Sequence, residues 1–585
     1  MTVEKLITGH IDIWSSALQT RSAAGRGSNG KIDLYGIKKL RELILELAVR
    51  GKLVPQDPND EPASELLKRI AAEKAELVKQ GKIKKQKLLP EISEDEKPFE
   101  LPVGWEWVRL GDLGLIGSSS RVHQQDWKPD GIPFYRAREI VTLAKYGEVN
   151  NDLFISPELF ESLCLNGLSP ETNDIMLTGV GTIGVPYIVK PYDKFYFKDA
   201  SVLIFKNTHA IYSEYLNKIF TSKYWKDEIH KYSMGTTVHT LTISRANEVL
   251  IPFASEQDQI GLVSKIDELM LLCDQLEQQS LSSLDAHQQL VETLLATLTD
   301  SQNTKELSDN WVRISQHFDT LFTTEASIDA LKQTILQLAV MGKLVPQDPN
   351  DEPASELLKR IEQEKTQLVK EGKIKKQKPL PPVSDEEKPF ELPVGWEWVR
   401  LGTITNTRLG KMLDKAKNKG QLKKYLRNTN IQWDYISLED INEMRFEEHE
   451  LEEFLLRKGD LLICEGGEPG RCAVWNHEGE YYFQKALHRL RTFLNMSPHF
   501  FAMTLKIGAL NGTLDSLFTG VTIKHLPGDK LQQYVVPLMP LKEQVKVLAK
   551  TYELLELCDT LKSRLQSAQQ TRLHLADALT DAALN

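Results

Sequence analysis

The chain has 585 residues, a formal net charge of −10, 41% hydrophobic and 26% charged residues. This composition is typical of a globular protein with material for about three to five domains. No apolar run approaches the roughly 18 residues of a membrane span, the N-terminus lacks a secretory signal pattern, and the five cysteines form no C-x-x-C pair. We therefore expect a cytoplasmic protein without disulfides or a zinc site. The negative charge disfavours nucleic-acid binding unless basic residues are concentrated locally.

Helix signals dominate the first hundred residues. Apolar residues with three- and four-residue spacing predict one buried helix face, and they are Ile37, Leu40, Leu43, Ile44 and Leu47. The same spacing predicts a second such helix at Ile328, Leu331, Ile335 and Leu338. The sequence Pro-Gln-Asp-Pro-Asn-Asp at 55–60 breaks the chain. A second, short helix is expected to begin at Ser64.

A basic stretch, GKIKKQK, follows at 81–87 and has an identical copy at 372–378. Lysines in such a stretch can contact DNA phosphates without sequence preference. The alternative is a solvated loop with no ligand, and the sequence leaves both interpretations open.

The segment 112–250 has the pattern of a mixed α/β module. Stretches such as PYIVKPYDKFYF and ASVLIF are rich in β-branched and aromatic residues, which favour strands. Within it, Gly179 to Gly184 matches the dinucleotide fingerprint G-x-G-x-x-G, but a strand pattern follows where that site requires a helix. We predict a tight turn there.

A long helix is predicted next, because apolar residues step by four and three in a heptad seam. The seam starts with Leu262, Ile266, Leu269, Cys273 and Leu276, and continues weakly through Ser280, Ser283, His287, Leu290 and Leu294. An offset of 285 gives the matching C-terminal seam Val547, Thr551, Leu554, Cys558, Leu561, Leu565, Ala568, Arg572, Leu575 and Leu579. Two such helices are expected to pair in a coiled coil and to space two modules, or alternatively only to stabilise the fold.

The chain contains two near copies of one support. Residues 47–111 and 338–402 align without a gap at an offset of 291 and differ at 11 of 65 positions. Residues 252–276 also align with 537–561, at the offset of 285. Between these duplications the segments 112–250 and 403–535 have almost no similarity. A single active site does not need near-identical supports for unlike modules, whereas a protein that presents two different binding modules does.

Candidate binding residues in the second module lie in a basic run, Arg408 to Arg427, with eight basic residues and one acid, Asp414. Basic side chains suit phosphates, and Asn and Arg suit the edges of adenine and guanine. A solvated charged loop is the alternative. The candidates are Lys411, Lys415, Lys417, Lys423, Lys424, Arg427, Asn428 and Asn430.

Two further groups of candidates come from aligning the modules. Arg136, with Arg138 beside it, aligns with Arg427 at the offset of 291. The sequence from Gly520 to Leu526 aligns with that from Gly235 to Leu241 at the offset of 285. Glycine beside hydroxyl and cationic side chains suits a turn against a phosphate, or an ordinary β-turn. The candidates in these two turns are Thr237, His239, Thr522 and Lys524.

No catalytic pattern accompanies these residues. The chain contains neither the N-P-P-[FY] nor the D-P-P-Y tetrapeptide of amino-methyltransferases, and no cluster has metal-ligand spacing. We expect no catalytic residue, metal or cofactor in this chain.

Three features together resemble the specificity subunit of type I restriction-modification systems, over essentially the whole length. They are the duplicated LAV-x-GKLVPQDPNDEPASELLKRI, the duplicated ELPVGWEWVRLG, and the closing segments IPFASEQDQI and VPLMPLKEQV before each heptad helix. The resemblance implies an α+β protein with two mixed α/β target-recognition domains separated by long antiparallel coiled-coil scaffold helices, in an internal pseudo-two-fold repeat.

The implied domain bounds are 1–102 for an N-terminal helical scaffold, 103–255 for the first recognition domain, 256–393 for a central helical scaffold, 394–540 for the second recognition domain, and 541–585 for the C-terminal helix. The long N-terminal scaffold departs from some family members. One arrangement places it beside the C-terminal helix.

The resemblance also implies a function without catalysis in this chain. Each recognition domain would read one half of a bipartite DNA site, and the helices would set the spacer. Two methyltransferase (M) subunits would methylate adenine with S-adenosylmethionine, and two restriction (R) subunits would use ATP and Mg²⁺. The alternatives are a protein adaptor without a DNA role and an unusual single-chain DNA methyltransferase or nuclease.

Overall fold

A computed structural model of the chain describes residues 3–21, 31–81, 83, 87–209, 211–231, 239–414, 416 and 418–584. The chain divides into two compact units, one made of residues 1–283 and 568–585 and the other of residues 284–567. Both units mix helices and sheets. No helix among the described residues is long and apolar enough to span a membrane.

The first unit contains ten complete helices and eleven strands among its described residues. The helices are α1 (Val3–Thr8), α2 (Ile11–Ser16), α3 (Tyr35–Val49), α4 (Ala63–Lys79), α5 (Leu110–Leu113), α6 (Ala137–Tyr146), α7 (Pro157–Asn166), α8 (Ser213–Thr221), α9 (Lys223–His230) and α10 (Ile243–Glu248). The strands are β1 (Gln19–Arg21), β2 (Lys31–Asp33), β3 (Glu106–Arg109), β4 (Leu115–Gly117), β5 (Ile132–Tyr135), β6 (Phe154–Ile155), β7 (Ile175–Thr178), β8 (Pro186–Ile188), β9 (Tyr196–Phe197), β10 (Val202–Lys206) and β11 (Leu250–Phe253). The long helix α11 (Glu256–Asp300) then continues into the second unit.

The second unit repeats this plan. Its helices are α12 (Thr304–Gln316), α13 (Phe318–Leu321), α14 (Glu325–Val340), α15 (Ala354–Lys370), α16 (Leu401–Ile404), α17 (Leu451–Phe454), α18 (Pro498–Leu510), α19 (Gly528–Gln533) and the long α20 (Leu541–Leu584), whose end belongs to the first unit. The strands are β12 (Glu397–Arg400), β13 (Thr405–Leu409), β14 (Gln421–Leu426), β15 (Asn442–Phe446), β16 (Leu461–Cys464), β17 (Cys472–Val474), β18 (Tyr482–Phe483), β19 (Leu487–Thr492) and β20 (Val535–Leu538). Short 3-10 helices span Glu94–Glu96, Gln124–Asp126, Asp385–Glu387, Asn428–Asn430, Glu448–Glu450 and Thr513–Leu517.

The two variable modules have the same sheet order. The four-stranded sheets are β4-β10-β7-β8 in the first and β13-β19-β16-β17 in the second. The three-stranded sheets are β6-β5-β9 and β15-β14-β18, and in each the central strand has one antiparallel and one parallel neighbour. The ends of each module meet in an antiparallel pair, β3 with β11 and β12 with β20. Similar topology therefore exists without similar sequence, because different β-branched and apolar residues fit the same buried, pleated positions.

Strand β16 shows where the core of the second module lies. Leu461 and Ile463 pack into one hydrophobic cluster, while Leu462 and Cys464 pack into another. Successive side chains of a strand point to opposite faces of a sheet. Both faces of this sheet are therefore covered, which explains why the sequence of β16 is an uninterrupted apolar run.

The predicted faces of the scaffold helices are confirmed. In α3 the residues Ile37, Leu40, Leu43, Ile44 and Leu47 are all buried, and in α14 the same is true of Ile328, Leu331, Ile335 and Leu338. Each helix also reaches a long helix through an equivalent ion pair. Arg41 Nη2 lies 2.6 Å from Asp274 of α11, and Lys332 pairs with Asp559 of α20.

The predicted seam of the long helices is confirmed in its first half and wrong in its second. Leu262 is buried as expected, but Leu290 is 51% exposed while Val291, one residue later, is buried. In α20 Leu575 is 44% exposed while Ala576 is buried. The reason is the helix period, because about eight turns of 3.6 residues give 29 residues between buried positions, whereas a strict heptad gives 28.

Each module is joined to a long helix by a buried tryptophan. Trp105 Nε1 donates to Asp258 Oδ2 at 2.8 Å, and Trp396 Nε1 donates to Glu543 Oε2 at 2.9 Å. The carboxylates lie in the first turn of α11 and α20, and the tryptophans directly precede β3 and β12. Burial raises the pKa of Glu543, which the hydrogen bond from Trp396 opposes. The orientation of each module on its helix is therefore fixed by a bond that water does not reach.

The N-terminal segment contacts the end of α20, as one arrangement predicted. Gln569 Nε2 donates to the backbone oxygens of Ser16 and Leu18, and Tyr35 donates to Asp577 at 2.7 Å. Gly36 lets α2 pack closely against α3, because a Cβ there would lie 2.3 Å from the carbonyl oxygen of Trp14.

The shifted register of α11 gives a direct stability test. Leu295 is buried in a cluster with residues of α14, so Leu295→Ala should lower the free energy of unfolding by about 2–5 kcal/mol. Leu290→Ala removes the same atoms from an exposed position of the same helix, and should change stability by only about 0.5 kcal/mol or less. Chemical denaturation of the full-length chain measures the free energy of unfolding of both variants. If Leu290→Ala were the more destabilising of the two, the strict heptad register would be correct.

Candidate nucleic-acid interface

Arg136 and Arg427 occupy the same structural position in their modules. Each follows the central strand of the three-stranded sheet and caps the helix that comes next. The backbone N–H of Arg136 donates to Glu139 Oε2 at 3.0 Å, and that of Arg427 donates to Asn430 Oδ1 at 2.8 Å. Side chains three residues into a helix satisfy its first N–H groups in this way. The alignment at offset 291 therefore matched equivalent residues of the fold.

Both arginines are about one-quarter exposed and ion-paired with an aspartate. Arg136 Nη2 lies 2.7 Å from Asp152, and Arg427 pairs with Asp440. Arg138 is more exposed and also contacts Asp152 at 3.0 Å, and its hydrogen bond lowers the pKa of that carboxyl. The aspartates orient the guanidinium groups and leave part of each accessible.

In the second module, three segments that are far apart in sequence meet at one place. They are the turn 465–470 between β16 and β17, the 3-10 helix at 428–430, and the loop 519–526. Asn428 Nδ2 donates to the carbonyl of Gly466 at 3.1 Å. His525 forms a β-bridge with Gly466 and lies 3.0 Å from the Glu465 carboxylate. Asn428, which directly follows the basic run, and the turn at 520–526 therefore belong to one surface.

Gly467 makes this close approach possible. Its φ is +85°, a conformation that favours glycine. A Cβ at this position would lie 2.5 Å from Asn428 Nδ2. Arg471 supports the same corner by donating to the carbonyl of Asn428 at 3.0 Å, and Trp433 Nε1 donates to Glu468 at 3.1 Å.

The first module has a matching turn and bridge. The glycine run from Gly179 to Gly184 links β7 to β8, so the predicted tight turn is confirmed. Val180 bridges Thr240, and Leu241 N–H donates to the carbonyl of Gly179 at 2.8 Å. The equivalent bond in the second module runs from Leu526 to Glu465 at 2.7 Å.

The loop 519–526 carries two apolar side chains that the sequence analysis missed. Val521 is fully exposed and Ile523 is 65% exposed, and they alternate with the exposed residues Thr522 and Lys524. Paired hydrogen bonds between Thr519 and His525, both 2.9 Å, close the loop. The available signal was the alternation of β-branched residues after Gly520, which buried strands also show.

Two of the predicted contact residues lie inside the second module, so these two predictions were wrong. Asn430 is buried, and its amide donates to the carbonyls of Ser437 and Asp440. Lys411 is buried and paired with Glu450. Polar groups that are buried and already bonded hold the fold, so these side chains are not accessible to a ligand.

The remaining candidates are surface residues or lie outside the described part of the chain. Lys423 pairs with Glu480 at 2.7 Å, whereas Lys424 is exposed on β14. Lys524 lies 3.7 Å from Asp515 and over the ring of Phe518. His239 is exposed and its ring lies 5.2 Å from that of His230. The predictions that fall outside the described residues are those for Thr237, Lys415 and Lys417.

The residues that the structure describes contain no group of three or more His, Cys, Asp or Glu side chains that could hold a metal ion. The arrangement is one of two binding modules of the same topology, each with an arginine-capped corner and a glycine turn. This defines a two-module binding protein with duplicated supports.

Comparison with known proteins gives the family. A family model described as the type I restriction modification DNA specificity domain matches residues 393–567. Two proteins of Escherichia coli, the type I restriction enzyme EcoEI and EcoAI specificity subunits, are each 48% identical to this chain over all of it and all of their own length. The chain belongs to the family of type I restriction enzyme specificity subunits.

Solved structures are less similar. A chain from a study of complex assembly and conformational transition in a type I R-M system is 18% identical, and the match covers 83% of this chain and 99% of that chain with a TM-score of 0.45. The family assignment depends on the two E. coli relatives.

Proposed function

We propose that this chain recognises a DNA sequence on behalf of a type I restriction-modification complex, with one recognition domain in each unit. The observation that carries the proposal is that two modules share one sheet order but almost no sequence, while their supports are nearly identical. Supports that stay constant while binding surfaces differ fit two readers of different half-sites. The negative charge of the chain is compatible with this, since the surfaces that matter are local.

The long helices α11 and α20 pair antiparallel and set the spacer between the half-sites. Within the first unit, α3 contacts Asp274 in the first half of α11 and Asp577 near the end of α20. Within the second unit, one cluster joins α14 to Leu295 near the end of α11 and to Cys558 of α20. The beginning of one helix and the end of the other thus share a neighbour twice, which supports an antiparallel coiled-coil pair in a pseudo-two-fold repeat.

The chain acts without catalysis of its own, as the scaffold for enzymatic partners. Two methyltransferase subunits bind S-adenosylmethionine and methylate adenine, and two restriction subunits bind ATP and Mg²⁺. Family membership supports these partners, and the paired, near-identical supports suit two copies of one partner.

The reading surface of each module is the corner at the capping arginine. In the second module it comprises Arg427, Asn428, Lys424 and the loop with Thr522 and Lys524, to which Val521 and Ile523 add apolar contacts of the kind that recognise thymine methyl groups. In the first module it comprises Arg136, Arg138 and His239. Thr237, Lys415 and Lys417 stay predictions from the sequence.

Exchanging one module tests the independence of the two readers. Residues 112–249 are replaced by the same segment of a relative with a different target, while both supports stay native. One half-site should change and the other should be retained, because β3 and β11 are kept and close either module. Methylation of a random-sequence DNA library by the complete methyltransferase complex measures the outcome.

A change in both half-sites would contradict independent reading. If the native complex does not select any DNA sequence for methylation, the alternative of a protein adaptor is favoured.

Arg427 tests the placement of the reading surface. Arg427→Ala should cost about 1–3 kcal/mol of binding free energy on the target and relax the preference at one base position. Arg457→Ala is the control, because this arginine is also ion-paired in the same module but lies at the other end of β16. Affinities for the target and for single-base variants of it measure both. Equal effects of the two substitutions would remove Arg427 from the surface.

A further inference from the structure

The basic stretch 372–378, named here the lysine strap, is anchored at its beginning. Gly372 ends α15 with a φ of +72°, and the N–H of Lys373 donates to the carbonyl of Leu368 at 2.9 Å. This left-handed glycine reverses the chain at the end of the helix. The next residue, Ile374, packs against the hydrophobic core of the module.

The segment that follows the strap is anchored as well. Arg400, which is buried, donates to the carbonyls of Pro381 and Pro382 at 3.2 Å each. Its guanidinium also binds Glu387, and this pairing lowers the pKa of that carboxyl to about 2. Leu380 lies against Gly402, where a Cβ would be 3.0 Å from its side chain. The strap is therefore held between two fixed points rather than hanging as a loose loop.

The lysines of the strap point into solvent. Lys375, Lys376 and Lys378 are exposed, and no acidic partner is found for them among the residues that the structure describes. Lys373 is paired with Glu371 at 2.9 Å. Ile374, the apolar residue of the strap, is partly buried in the core of the module. Protein interfaces are depleted in lysine and enriched in aromatic residues, whereas phosphate contacts need only the charge.

The strap is copied without change between the two units. Residues 81–87 have the same sequence, and Arg109 anchors the chain beyond them by donating to the carbonyls of Pro90 and Glu91. The lysines of this copy other than Lys87 lie outside the described residues. The modules differ and the straps do not, so a strap fits a ligand that is the same at both half-sites, and the sugar-phosphate backbone has that property.

We propose that the lysine strap at 372–378 is a sequence-independent phosphate-binding element that contacts the DNA backbone outside the recognition modules. The inference rests on the proposed function, since it requires that the chain binds DNA. The strap supplies affinity and holds the duplex in place, while the modules supply the choice of bases.

The test replaces three charges in the strap and three elsewhere. The strap variant carries Lys375→Gln, Lys376→Gln and Lys378→Gln. The control variant carries Lys359→Gln, Lys388→Gln and Lys550→Gln, and each of these lysines is paired with an acidic residue three positions away. Both variants lose the same net charge. Binding of the full-length chain in its methyltransferase complex is measured on target and non-target duplexes over a salt series.

The strap variant should lose affinity by the same factor on both duplexes, and its slope of log K against log salt should flatten by about 2–3, since each phosphate contact contributes about 0.9. The slope of the control should stay within about 1 of the native value. A native slope in the strap variant overturns the inference while leaving the proposed function intact. A loss of affinity that is confined to the target duplex also overturns the inference. So does a failure of the strap variant to assemble with the methyltransferase subunits in the absence of DNA. If the native complex does not bind DNA at all, the proposed function itself is refuted.

Discussion

The structure depends on one buried hydrogen bond that is made twice, from a tryptophan indole to a carboxylate in the first turn of a long helix. Trp105 with Asp258 and Trp396 with Glu543 form this bond, and all four residues are less than 9% exposed. A carboxylate removed from water is costly unless a donor meets it, so neither the indole nor the carboxylate can be lost alone, although Asp258 in one copy is replaced by Glu543 in the other. This constraint accounts for the tryptophan that both copies keep just before the first strand of the module, while the module beyond it is free to differ.

The features that sequence could predict are those that depend on local apolar spacing or on direct duplication. The buried faces of α3 and α14 follow from three- and four-residue spacing, and the repeat aligns Arg136 with Arg427 in sequence. The common sheet order of the modules could not be predicted, because strands of different sequence satisfy the same burial pattern. The second half of the α11 register was wrong because Ser280, Ser283 and His287 give little apolar signal, and a heptad extrapolated across them accumulates an error of one residue.

The candidate site shows the same division between local and distant information. Composition predicted a basic surface around Arg427, but it could not separate side chains that the fold uses from those it exposes. The predictions for Asn430 and Lys411 were wrong for this reason, since their partners Asp440 and Glu450 lie 10 and 39 positions further along the chain, outside the local sequence pattern. Val521 was missed for the opposite reason, because the β-branched run of Val521, Thr522 and Ile523 predicts burial, and the structure exposes Val521 completely.

We propose that two modules of one topology, fixed to near-identical supports, read two different blocks of DNA at a set distance. The most direct measurement is the set of adenines that the native methyltransferase complex modifies in a random-sequence DNA library. We expect two short blocks of defined and different base sequence, separated by a spacer of constant length and undefined base sequence. A single continuous block, or two blocks at variable spacing, would contradict it.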